Sequence, residues 1–216
     1  MSFETMIQKL AEGMLVSIEI FTVTLIFSLL LGLFVAFGRK SKFAPLRWLV
    51  KGYISVMRGT PLILQLMFIY FGPYYILGIS LSVGYKMTAV LIGFVINYAA
   101  YFAEIYRAGI ESMPKGQYEA AKVLGYTKVQ TFVKIIFPQV VKRILPPVTN
   151  EVITLVKDTS IAFVLGVAEM FTNAKAVASA EASVIPYIAA AVFYYVFNFV
   201  VAFVMERMEK KLNYYR

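Results

Sequence analysis

Two acids, Glu151 and Asp158, interrupt one apolar stretch of this chain, and Asn97, Tyr101 and Glu104 interrupt another. If those stretches cross a bilayer, each ionised group costs ~2.5–3.5 kcal/mol at its centre, so each needs a partner or a cavity. Glu151 and Asp158 stand seven residues apart. On a helix that is two turns, which puts both carboxylates on one face about 10 Å apart along the axis. Thr154 and Leu155 lie between them on that face, while Lys157 points about 100° away from Asp158. Asn97, Tyr101 and Glu104 follow at spacings of four and three, so they also share a face. Two such faces can form a polar pocket: carboxylates for an ammonium or other basic group, with Asn97, Tyr101 and Thr154 as neutral hydrogen-bonding groups. A purely structural reading stands beside it. Glu104 can pair with Arg107 near the membrane surface. Lys157 and Asp158 can cap a helix break ahead of Thr159 and Ser160. Glu151 can cap backbone near Pro146-Pro147, which are expected to interrupt the start of their helix.

The elements that hold these residues are expected to be membrane spans. Of 216 residues, 60% are hydrophobic and 15% charged. Soluble domains carry roughly 25% charged residues, so the composition points to an integral membrane protein. The fold class expected is an all-α membrane protein in one domain, residues 1–216, with five transmembrane helices. Each approaches the ~20 apolar residues a bilayer requires, at about 14–37, 54–77, 87–108, 144–167 and 184–205. The first apolar run is too long for a signal-peptide core and lacks a basic leader, so it is expected to stay as a membrane anchor. There is no convincing internal repeat, and five spans do not divide into equal inverted halves.

The net charge is +9. Lys and Arg gather after the first span (Arg39, Lys40, Lys42, Arg47, Lys51), between the third and fourth, and after the fifth (Arg207, Lys210, Lys211, Arg216). Only Lys9, Lys86 and Lys175 lie on the other side. This places the N-terminus outside, the C-terminus in the cytoplasm and the long segment 109–143 in the cytoplasm. The basic residues flank apolar runs, so the charge reads as cytoplasmic flanks and not as a nucleic-acid surface. Tyr70, Tyr74, Tyr75 and Tyr85, with Tyr214 and Tyr215, are expected as interfacial anchors.

Several chemistries have no residues to support them. The chain has no Cys and no His, which removes thiolate chemistry and the commonest general base and metal ligand. No metal-ligand cluster or nucleophile–base pair stands out. Gly38-Arg39-Lys40-Ser41 is the nearest approach to a phosphate-binding loop, but its glycine spacing is wrong. It reads as a basic stop after the first span. The chain is expected to be no enzyme and to hold no cofactor of its own.

The polar segment EAAKVLGYTKVQTFVKIIFP, residues 119–138, is set in this otherwise apolar chain. Residues 117–124 are helix formers, with Gly125 placed as a C-terminal stop and Glu119 near the favourable end of the helix dipole. A second short helix is expected from Thr127 to Phe137, ended by Pro138 and apolar along Val129, Phe132, Val133 and Ile136. An amphipathic connector lying on the headgroups would share these features. Upstream, Pro61 suits the first turn of a helix that Thr60 would cap, with Arg58 at the cytoplasmic headgroups.

The order Glu119-Ala120-Ala121, Gly125, Ile135, Pro138 resembles the cytoplasmic EAA loop of ABC importer permeases. Arg58-Gly59-Thr60-Pro61-Leu62-Ile63-Leu64-Gln65-Leu66, residues 101–110 (YFAEIYRAGI) and Lys157-Asp158-Thr159-Ser160 are similar to segments of polar amino-acid permeases. The resemblance covers nearly the whole chain. It implies the membrane subunit of a type I, binding-protein-dependent importer for polar amino acids in a prokaryotic cytoplasmic membrane. It also implies the partners: two copies of an ATPase that binds ATP and Mg, a second permease subunit (identical or paralogous) and an extracytoplasmic amino-acid-binding protein. The loop at about 111–140 would receive the ATPase through Tyr118, Glu119, Ala120, Ala121 and Gly125. The pocket of Asn97, Tyr101, Glu151, Thr154 and Asp158 would then bind an α-ammonium, and its two acids favour arginine, lysine or histidine over glutamine. An ion-coupled secondary transporter using Glu104, Glu151 or Asp158, and a non-transporting membrane anchor, are the competing readings.

Overall fold

The computed structural model describes residues 2–82 and 84–212; Tyr214, Tyr215 and Arg216, expected at the C-terminal membrane flank, lie outside them. The described chain is helical. α1 spans Phe3–Arg39, α2 Ala44–Gly59, α3 Leu62–Leu77 and α4 Tyr85–Glu111. Two short helices follow, α5 Lys115–Val123 and α6 Lys128–Thr131. A π-helical stretch, Phe132–Ile136, leads into α7, Phe137–Asp158, which tightens into a 3-10 helix at Thr159–Leu165. α8 covers Met170–Glu181 and α9 covers Ile185–Leu212.

α4 is the central element. Its buried residues include Ala89, Gly93, Asn97, Ala99, Ala100 and Ala103. α1 lies along it with its own small residues turned inward, among them Ser17, Thr24, Ser28, Gly32 and Ala36. Without a hydrophobic drive between helices in lipid, close backbone approach of this kind is what holds them together. Gly32 marks the tightest point: a Cβ there would sit 2.9 Å from the Phe102 Cβ. α9 is mostly exposed along its length and forms the outside of the bundle.

α1, α4 and α9 are long and apolar enough to cross a membrane, and α2 with α3 makes a fourth if the bent pair counts as one span. The expected count was five. α7 falls short because Lys142, Arg143, Glu151, Lys157 and Asp158 dilute its apolar residues. The second expected span, 54–77, is not straight. It breaks at Thr60-Pro61, where α2 and α3 meet at 113°. Thr60 is extended (φ −123°, ψ 149°), as the residue before a proline prefers. Its hydroxyl does not cap α3 as expected; it donates back to the Val56 carbonyl at 2.8 Å and closes α2.

Other prolines behave differently. α7 runs unbroken through Pro146 and Pro147, so they leave no broken helix end for Glu151 to cap. Nor does Pro138 end a helix; it lies in the first turn of α7. Just ahead of it the Phe137 N–H bonds to Phe132 O, five residues back, in the widened π turn. That widening also splits the apolar face expected over residues 129–136. Ile136 is fully buried, while Val129 and Val133 are 72% and 55% exposed. Of the tyrosines, Tyr74 and Tyr75 are exposed, as anchors should be. Tyr70 and Tyr85 instead stack on each other with centroids 6.0 Å apart.

Candidate functional site

Asn97, Tyr101, Glu151, Thr154 and Asp158 line a single cavity of about 280 Å3 between α4, α7 and the break at Thr60-Pro61. Helix periodicity puts each set on one face, and the packing of α4 against α7 brings the five together from two distant stretches of chain. Asp158 accepts a hydrogen bond from the Tyr98 hydroxyl at 2.7 Å. The Thr154 hydroxyl donates to the Asn150 carbonyl at 2.9 Å, within its own helix. Below Asp158 the helix tightens, as Thr159 and Ser160 donate back to the carbonyls of Val156 and Lys157.

Asn97 lines the cavity but its amide group is engaged elsewhere. Nδ2 donates to the Met57 carbonyl at 3.0 Å and to Gln65 Oε1 at 2.8 Å. Gln65 Nε2 in turn donates to Met57 O at 3.0 Å, Thr60 O at 3.1 Å and Thr60 Oγ1 at 2.8 Å. The cause lies at Pro61, which has no N–H to give the carbonyl four residues back. That carbonyl belongs to Met57, and two buried amides satisfy it. Asn97 thus fixes the wall of the cavity by holding the helix break in place.

Tyr101 and Glu151 also line a second cavity, of about 420 Å3, toward the α4–α5 loop. At its rim the Arg58 guanidinium carbon lies 5.3 Å from the Tyr101 ring centroid. Glu104 sits here too. It pairs with Arg107 at 2.7 Å and approaches Arg39 at 3.9 Å and Arg58 at 4.0 Å. It ties the ends of α1, α2 and α4 together, which agrees with a structural role. Among the described residues no group of three or more Asp or Glu is placed to hold a metal ion.

The segment 115–131 is built by local rules. α5 ends in paired bonds: Tyr126 N–H to Ala121 O at 3.0 Å and Gly125 N–H to Lys122 O at 3.1 Å. These are the two bonds of a Schellman turn, and they require a left-handed residue between the helices. Gly125 supplies it at φ 78°. α6 then starts with a reciprocal cap, Thr127 accepting from Gln130 N–H while Gln130 accepts from Thr127 N–H. Of the residues expected to face a partner, Tyr118, Glu119, Ala120 and Gly125 are exposed and Ala121 is buried. Val123, Leu124 and Val129 are also exposed, at 87%, 73% and 72%. Gln117 and Gln139 clasp each other through two amide hydrogen bonds of 2.8 and 2.9 Å. This joins α5 to α7.

Residues 28–214 match the family of binding-protein-dependent transport system inner membrane components. The chain belongs to that family of permeases. It is 36% identical over 203 residues to the arginine transport system permease protein ArtQ of Bacillus subtilis, covering 94% of this chain and 91% of the relative. It is also 36% identical over 204 residues to a putative glutamine transport system permease protein GlnP of Rickettsia conorii, covering 94% and 92%. Among solved structures, the crystal structure of an amino acid ABC transporter with histidines matches with a TM-score of 0.87 at 32% identity, covering 98% of this chain and 99% of that one.

Two residues that shape the permease's cavities, Gln65 and Tyr98, have no role assigned from the sequence, and Arg58, expected at the cytoplasmic headgroups, lies at a cavity rim. Gln65 is the one polar side chain between Leu62 and Phe68, and its position four after Pro61 is a signal that an amide is needed there. Tyr98 and Arg58 carry no such local signal; only the packing places them against Asp158 and Tyr101. A buried carboxylate at the far end of the bundle was also missed. Glu169 starts α8, accepting from the Phe171 and Thr172 N–H groups at 2.8 and 2.7 Å and from the Tyr194 hydroxyl at 3.0 Å. It fastens α8 to α9.

Proposed function

We propose that this permease moves a polar, cationic amino acid (arginine, lysine or histidine) into the cytoplasm as the membrane half of an ATP-driven importer. The observation that carries this reading is the pair of carboxylates, Glu151 and Asp158, on the wall of one cavity that has no lysine or arginine in its lining. An α-ammonium and a second cationic group are what such a wall would attract. The arginine permease among the relatives and the histidine-containing transporter structure fit the same ligand class. The glutamine permease at equal identity supports a second reading, in which the ligand is neutral and one carboxylate is structural.

In this reading the remaining parts are separate chains. Two ATPase subunits, binding ATP and Mg, dock on the exposed loop at Tyr118, Glu119 and Ala120, where Val123 and Leu124 offer apolar area. A second permease subunit completes the translocation path, and an extracytoplasmic binding protein delivers the amino acid. The loop end of the bundle faces the cytoplasm and the N-terminus faces out, with five spans crossing a prokaryotic inner membrane. The gathering of Arg39, Arg58, Arg107 and Arg143 at the loop end supports this orientation.

The test is equilibrium binding of radiolabelled arginine and glutamine to the detergent-purified permease and to Glu151→Gln. Saturable arginine binding that the variant loses is the expected result. Preference for glutamine, unchanged in the variant, would overturn the cationic reading.

A further inference from the structure

The two cavities share a wall: Tyr101 and Glu151 line both. They differ in charge. The cavity of about 280 Å3 holds two carboxylates and no cation, so a carboxylate ligand group would meet only neutral donors there, such as the Tyr101 hydroxyl. The loop-side cavity of about 420 Å3 presents Arg58, Arg107 and Arg143, and its size falls within the ~300–1,000 Å3 common for small-molecule sites. Arg107 is already spent. It binds Glu104 through Nε and Nη2 at 3.0 and 2.7 Å and Glu111 through Nη1 at 2.5 Å. Arg143 gives only Nη1, to the Ser112 carbonyl at 2.7 Å, which fixes the group at the cavity edge. Arg58 is 45% exposed, and its ion pair with Glu104, at 4.0 Å, is too long for a hydrogen bond. A guanidinium with its planar fork of donors open suits a carboxylate.

We propose that the loop-side cavity is a second station for the translocated amino acid, where Arg58, helped by Arg143, takes the α-carboxylate while the ammonium stays on Glu151. This rests on the function proposed above. In the first station the ligand is held by its cationic end or ends. It then pivots about Glu151 across the Tyr101 ring, and its carboxylate is captured beside Arg58. Because both poses use Glu151, they exclude each other. An amino acid entering from the loop side therefore blocks the first station, which makes the second station a point of inhibition by accumulated product.

The experiment compares L-arginine with agmatine, which lacks only the carboxylate, for binding to the full-length purified permease. L-Glutamine and 4-aminobutanamide replace them if glutamine is the amino acid bound. In Arg58→Gln, the amino acid should bind at least tenfold more weakly while its decarboxylated analogue changes less than twofold. Arg143→Gln lines the loop-side cavity alone and should show the same asymmetry, smaller in size. It also serves as the readout should Arg58→Gln fail to fold. Equal loss of both ligands, or loss of neither, overturns the second station and leaves the proposed function intact. No binding of any of the four ligands to the wild-type chain overturns both.

Discussion

Two of the permease's helix breaks are made by opposite means. At Leu124–Thr127 every device lies within a few residues: a Schellman turn, a left-handed glycine and a reciprocal Thr–Gln cap. At Thr60-Pro61 the break depends on Asn97, whose partner Met57 is 40 residues away in sequence. The first break is self-sufficient and can stand out from the bundle, where a partner can reach it. The second is completed only once Asn97 of α4 has joined the local bonds from Gln65, so it belongs to the assembled cavity. Substitutions should separate the two cases.

The largest effect is expected from Gly125→Pro. Proline fixes φ near −65° where 78° is needed, and it deletes the N–H that bonds to Lys122. Membrane insertion should be unaffected, while substrate-stimulated ATP hydrolysis by the reconstituted importer should be abolished. Hydrolysis at wild-type stimulation would sink the coupling role of this turn. Next comes Asn97→Leu, which keeps the volume but leaves Gln65 Oε1 without its buried donor and removes one of the two amides on Met57 O. A loss of about 1–3 kcal/mol is expected, read from thermal or denaturant unfolding in detergent. That loss should shrink in a Pro61→Ala background, where an N–H at residue 61 can bond to Met57 O directly; a double-mutant cycle measures the coupling. Additive losses would show that the two residues act independently. Thr127→Ala should cost about 1 kcal/mol, the usual value of a helix N-cap. It should do so equally in the Asn97→Leu background, because the two breaks share no partner.

The same contrast explains which features can be read from the sequence. The stop at Gly125 and the shared face within each of the two sets of cavity residues follow from local chemistry and helical period, and both are legible without coordinates; that the two faces meet is set by the packing of α4 on α7. The Glu104–Arg107 pair is likewise a three-residue spacing. The bend at Thr60-Pro61 is not legible in this way. Pro61 could start a helix, kink one or pass through one, as Pro146 and Pro147 do. Which occurs is decided by whether buried amides wait for the freed carbonyl. The π turn at 132–136 hides similarly, since one extra residue in a turn leaves composition unchanged yet moves Val129 and Val133 off the packed face. α7 was hard to read as a span for a third reason: the acids that make it polar are the ones the cavity uses.

The clasp between Gln117 and Gln139 has a mechanical consequence. Gln139 lies on the helix that carries Glu151, twelve residues further on, which is a rod of about 18 Å. With two parallel bonds the clasp resists twisting as well as pulling, so a force on α5 arrives at α7 as torque. A carboxylate head stands roughly 6 Å from the helix axis, and a 20° turn of the rod would carry it through about 2 Å. That is enough to break a hydrogen bond to a ligand and remake it elsewhere. In the proposed importer α7 would work as a crankshaft whose handle is the clasp at Gln139 and whose cam is Glu151.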